Sequence, residues 1–116
     1  MQLKIINNNE KYTHVALSGS FDCEGVAEIF EDFKHNVADR NLPALIDMTE
    51  VGFISSLGLR TFVACAQELA RNGHILVLYN PQPFVMDEVK VAGLDKECPV
   101  THDLGEALRL VTEQKS

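Results

Sequence analysis

The sequence predicts an α/β fold: a small mixed β-sheet of four to five strands with about four helices, mainly on one face. Three observations carry that expectation. Residues 45–73, LIDMTEVGFISSLGLRTFVACAQELARNG, read as an apolar strand, a short loop and an amphipathic helix. Residues 74–79, HILVLY, form a near-continuous apolar run, the pattern of a strand buried on both faces of a parallel sheet. Two shorter strand-like runs near the N-terminus flank a cluster of turn formers, which predicts an antiparallel hairpin. Strand, helix and strand in this order imply a right-handed crossover.

In chain order, the hairpin strands are Leu3–Ile6 and Tyr12–Leu17, separated by Asn7-Asn8-Asn9-Glu10. Ser18 to Asp22 breaks the strand pattern. A helix follows with Val26, Ile29, Phe30, Phe33 and Val37 on its apolar stripe, and with Glu24, Glu28, Glu31, Asp32 and Lys34 on a solvated face. Asn41-Leu42-Pro43 ends it, because proline disfavours a helical conformation in the residue before it. Ala44–Met48 is the next strand. The central helix starts at Ser55-Ser56, buries Leu59, Phe62, Val63, Ala66, Leu69 and Ala70, and stops at Asn72-Gly73, where glycine can adopt the left-handed conformation. After the strand at 74–79 come a loop, Asn80-Pro81-Gln82-Pro83, a short helix from Phe84 to Ala92 and a brief edge strand at Cys98–Thr101. Asp103 and Glu106 have capping-box spacing and open a last helix with Leu104, Ala107, Leu108 and Val111 on one side. The polar tail beyond Thr112 is expected to fray.

A chain of 116 residues fits one domain, 1–116, with 46% apolar and 23% charged residues, ordinary for a globule. A formal charge of −7 with no basic block argues against nucleic-acid binding, which needs Lys and Arg to neutralise phosphates. No run approaches the roughly 18 apolar residues of a membrane span, and no signal peptide is recognisable, so direct membrane insertion is not expected and the expected compartment is the cytoplasm. Cys23, Cys65 and Cys98 are odd in number and lack CxxC spacing, which points to buried or semi-buried structural thiols. His14, His35, His74 and His102 are scattered, so no metal site is indicated. GxGxxG, GxxxxGK[ST] and GxSxG are all absent, and no base, nucleophile and oxyanion site assemble. The expectation is a protein that is not an enzyme and carries no cofactor.

The informative place is the start of the central helix. One of Ser55 and Ser56 can cap it, and the unpaired amides with the helix dipole favour an anion there, so capping, phosphorylation and binding of a small anionic ligand all stay open. Apolar residues of Phe53, Ile54, Leu57 and Leu59 that remain outside the core would suit docking against a partner. Arg60 and Arg71 either rim that patch or are ordinary surface arginines.

At these residues the stretch D-M-T-x-V-x-F-I-S-S-L-G-L resembles the signature of STAS domains, the fold shared by anti-sigma factor antagonists and the cytoplasmic tails of sulfate transporters. SGSFD at 18–22 is similar to the family's Gly-x-Leu-Asp, and AGLDKECPV followed by EAL is similar to its C-terminal part. The resemblance implies a stand-alone, bacterial anti-sigma factor antagonist. In that family a serine kinase that is also the anti-sigma factor phosphorylates a serine of this loop. The unphosphorylated form captures the anti-sigma factor and frees the sigma factor, and a phosphatase is a further partner wherever phosphate is carried. The implied partner surface is Asp22, Phe53, Ile54, Ser55, Ser56, Leu57, Gly58 and Arg60. Asp47 matches the aspartate ending the family's third strand and, like Asp22, also suits backbone capping.

One departure bears on the switch. Antagonists of this type read Asp-Ser-Ser-Gly-Leu or Asp-Ser-Thr-Gly-Leu, with the acceptor directly before glycine. Aligned on Gly58, that position is Leu57, Ser56 matches the preceding serine, and Ser55 replaces the aspartate. Ser56 is then the better phosphoacceptor candidate and Ser55 the other, although one residue along a helix turns a side chain by about 100°. The departure gives weight to an alternative, a non-phosphorylated STAS subunit of a stressosome-like or lipid-transport ABC assembly.

Overall fold

In a computed structural model of the chain, residues 1–113 are described. The expected fraying of the tail lies, from Gln114 onward, outside the described residues. The five strands β1 (Gln2–Ile5), β2 (Thr13–Phe21), β3 (Ala44–Ile54), β4 (Leu76–Tyr79) and β5 (Val100–Thr101) form one sheet in sequential order. β1 is antiparallel to β2, and the other neighbours are parallel. A parallel pair cannot be joined by a tight turn, so each junction carries helix. α1 (Cys23–Asn36) links β2 to β3, α2 (Ser56–Arg71) links β3 to β4, and α3 (Pro83–Val91) with α4 (Leu94–Glu97) links β4 to β5. α5 (Leu104–Thr112) follows the last strand.

Strand alternation divides the buried residues between two faces. On one face Val15, Leu17 and Phe21 of β2, with Ile46 and Met48 of β3 and Leu76 and Leu78 of β4, pack under α1 to α4. On the other, Leu45 and Val77 pack against Ala107 and Val111 of α5. Two covered faces explain why β3 and β4 read as continuous apolar runs. Phe62 of α2 centres the larger core, its ring centroid 4.8 Å from that of Phe21 and 6.1 Å from that of Phe33. No helix among the described residues is long and apolar enough to cross a membrane.

Several elements differ from expectation for identifiable reasons. β3 runs to Ile54 rather than Met48, because two extra residues are absorbed as bulges opposite Ala16–Ser18 and Gly19–Ser20 of β2. The first of these bulges is organised by Asp47, whose Oδ1 accepts from Thr49 N at 2.9 Å and from Thr49 Oγ1 at 2.6 Å. Phe30, expected on the buried stripe of α1, is 51% exposed. It lines the space between α1 and α2 instead of pointing onto the sheet. Ala70 and Leu104 are likewise exposed, Cys23 is an exposed thiol at the first turn of α1, and the single-turn α4 was not expected. Ile6 lies beyond β1, and β4 begins at Leu76, two residues later than its apolar run.

Candidate functional site

The ends of β2 and β3 deliver two helix starts to one place. Asp22 caps α1, its Oδ1 accepting from Gly25 N at 2.8 Å. Ser55 caps α2, its Oγ accepting from Gly58 N at 3.2 Å. Ser55 also reaches back to β2: its N donates to Phe21 O at 3.0 Å, and its hydroxyl donates to the same oxygen at 3.2 Å. The residue just before Asp22 is thereby tied to the cap of α2. Gly58 allows this approach, since a Cβ there would overlap the Phe21 carbonyl oxygen and come within 2.9 Å of the Phe21 ring.

The two serines therefore differ. Ser55 is half-buried with its hydroxyl engaged as both donor and acceptor. Ser56, the first residue of α2, is exposed, and its hydroxyl has no partner among the described residues. Around it Phe53 and Leu57 are 40% and 36% exposed, and Arg60 is exposed without an ion pair among the described residues. Ile54, expected with this surface, is buried at 2% beneath Gly58, and Leu59 is buried with it. Arg71 is exposed at the far end of α2, several turns from the serines.

Two features were not read from the sequence. Phe53 stacks on Phe84 of α3, ring centroids 5.8 Å apart, so an exposed aromatic pair joins the end of β3 to the third helix. Just past the carboxyl ends of β4 and β5, beside the first bulge in the middle of β3, a polar chain runs from His102 through Asn80 and Thr49 to Asp47. His102 Nδ1 lies 2.9 Å from Asn80 Oδ1, and Asn80 Nδ2 donates to Thr49 Oγ1 at 3.2 Å. Asn80 adopts a left-handed conformation, φ 57°, which asparagine tolerates better than most residues. Neither contact has a local sequence signal, because the partners lie on different strands.

The remaining singled-out residues have structural surroundings. Burial pushes the Cys65 and Cys98 thiols up to about 12, so both stay protonated and unreactive. His14 is buried beside Leu45 in the sheet register, and desolvation lowers its pKa below the ordinary 6.5, with the Asp47 charge acting in the opposite sense. Among the described residues no group of three or more His, Cys, Asp and Glu side chains could hold a metal ion.

The loop, the two capped helix starts and the sheet order lead to comparison with known proteins. The model of the STAS domain matches residues 2–107. The chain belongs to the STAS domain family. No curated protein matches the sequence significantly. Among solved structures, this STAS chain is similar to an anti-sigma factor antagonist from Mycobacterium paratuberculosis, with 24% identity, TM-score 0.77, and 95% and 94% of the two chains covered. It is also similar to the anti-sigma factor antagonist SpoIIAA in its unphosphorylated form, with 17% identity, TM-score 0.79, and coverage of 99% and 100%. Against the phosphorylated form of SpoIIAA, a Bacillus cell fate determinant, the identity is 17% and the TM-score 0.67, over 93% and 98% of the chains. At these identities the likeness is one of fold.

Proposed function

We propose that this STAS protein is an anti-sigma factor antagonist that binds an anti-sigma factor/serine kinase through Phe53, Ser56, Leu57 and Arg60, with Asp22 and Ser55 holding that surface in place, and so releases a sigma factor. The observation that carries this reading is the joined pair of helix starts. Hydrogen bonds from Ser55 to Phe21 fix the loop, while an unpaired serine, two part-exposed apolar side chains and a free cation are left outside it. Such a surface is pre-organised for docking. That the similar folds named above are anti-sigma factor antagonists supports the same reading.

Ser56 is the phosphoacceptor in this proposal. Its hydroxyl is exposed, whereas a phosphate on Ser55 would remove the proton that this hydroxyl donates to Phe21 O and set negative oxygens against that carbonyl. Phosphate on Ser56 adds about −1.5 to −2 charges beside Phe53 and Leu57, which opposes burial of these apolar groups against a partner. A second reading, a constitutive subunit of a larger STAS-containing assembly, is favoured by Leu57 standing directly before Gly58, and by the Phe53–Phe84 pair.

The test combines phosphosite mapping by mass spectrometry on protein from its native cells with pull-down of the anti-sigma factor. Phosphate on Ser56, and loss of capture by at least tenfold in Ser56→Asp but not in Ser56→Ala, are the expected results. A stable co-purifying complex with no phosphate and no kinase in it would replace the first reading with the second.

A further inference from the structure

Ser56 and Arg60 stand one helical turn apart, at the first position of α2 and four residues further on. Four residues advance an α-helix by about 6 Å and carry it about 40° past a full revolution, so the two side chains share one face. That face is the outer one. Ser56 and Arg60 are both exposed, whereas Gly58 and Leu59 between them are buried. Long side chains on a helix lean towards its N-terminus and cover the turn before their own, which for Arg60 is the turn that begins with Ser56.

Neither group has a partner among the described residues: Arg60 forms no hydrogen bond or ion pair, and the Ser56 hydroxyl forms no hydrogen bond. The first turn of α2 holds no acidic residue. Across the joined helix starts, the Asp22 carboxylate is engaged by Gly25 N at 2.8 Å, and the Ser55 hydroxyl by Gly58 N and Phe21 O. An anion on Ser56 therefore meets a free cation on its own face and no carboxylate on its own turn. The order along the chain is also the favourable one, with the acidic group N-terminal to the basic group at i, i+4. Arginine suits phosphate in particular, because its planar fork can donate two parallel N–H bonds to two phosphate oxygens.

We infer that Arg60 holds the phosphate of this chain: phosphate on Ser56 closes an ion pair with the Arg60 guanidinium on the same helix and so withdraws that cation from the partner surface beside Leu57. In forming it, Ser56 Oγ takes the terminal phosphoryl group of a nucleoside triphosphate, the bond to the diphosphate breaks and the hydroxyl proton is released. This rests on the reading of Ser56 as phosphoacceptor of a partner-binding surface. It adds that the modification removes an attractive group from that surface as well as placing a repulsive one there.

The test is a phosphorus NMR pH titration of the full chain phosphorylated at Ser56, in the native sequence and in Arg60→Gln and Arg60→Lys. A phosphate's second ionisation falls near pH 6, and a cation beside it favours the dianion. The native midpoint should lie below that of Arg60→Gln by about 0.3 pH units, a twofold stronger acid, and Arg60→Lys should keep most of the difference. The helix N-terminus acts alike in all three proteins, so it cannot produce the difference. Unphosphorylated Arg60→Gln should also capture the anti-sigma factor at least threefold more weakly than the native chain, with a thermal melt confirming that the variant is folded. Equal midpoints in the native and Arg60→Gln chains, or equal capture by their unphosphorylated forms, would overturn the inference. If phosphorylation abolishes capture while the midpoints coincide, the functional reading stands and the role of Arg60 falls. If the midpoints separate and the native chain captures no anti-sigma factor, the ion pair stands and the functional reading falls.

Discussion

Ser55 and Ser56 are adjacent and chemically identical, and the fold gives them opposite roles. Ser55 closes a hydrogen-bonded junction between β2 and α2, whereas Ser56 presents an unpaired hydroxyl. Replacing an N-cap serine by alanine costs about 1 kcal/mol, and a surface substitution away from such features stays within about 0.5 kcal/mol. Ser55→Ala should therefore lower the urea midpoint and the melting temperature measurably, and Ser56→Ala should leave both where they are. Denaturation curves with the ranking reversed would show that Ser56, not Ser55, caps the helix.

At the scale of elements, the close approach of α2 to the end of β2 decides which glycines are replaceable. Helix propensity alone favours alanine over glycine by about 1 kcal/mol. At Gly58 that gain is outweighed, because the added methyl meets the Phe21 carbonyl and ring and the Ile54 side chain on the buried side of the helix. Overpacking of this kind costs about 1–3 kcal/mol, so Gly58→Ala should be destabilised despite its better propensity. Gly52, on the bulged part of β3, has open space where a Cβ would stand. Gly52→Ala should be neutral or slightly stabilising in the same equilibrium unfolding experiment. Equal losses at the two sites would locate the constraint in backbone conformation rather than in packing.

For the whole molecule, the buried His14 makes stability depend on pH. Its folded pKa lies below 6.5 because burial disfavours the imidazolium, so the unfolded chain binds the proton more tightly. The contribution is fully present above about 6.5 and is lost as pH falls from there towards the folded pKa. Urea denaturation at pH 7.5 and 5.5 should show lower stability at the acidic point, and His14→Gln should flatten that difference; an unchanged slope in the variant would assign it to other groups. The sequence alone determined the α/β class, the N-terminal hairpin, the parallel run through β4 and the position of the α2 start. These rest on local periodicity, turn chemistry and caps, which act within a few residues. The same locality left three features to the tertiary structure: the length of β3, the exposure of Phe30 and the difference between the serines. The bulges of β3 exist only against β2, and Phe30 is uncovered because of how α1 lies beside α2. The Ser55 hydroxyl is occupied by a carbonyl 34 residues away in sequence, a partner supplied only when β2 and β3 pair.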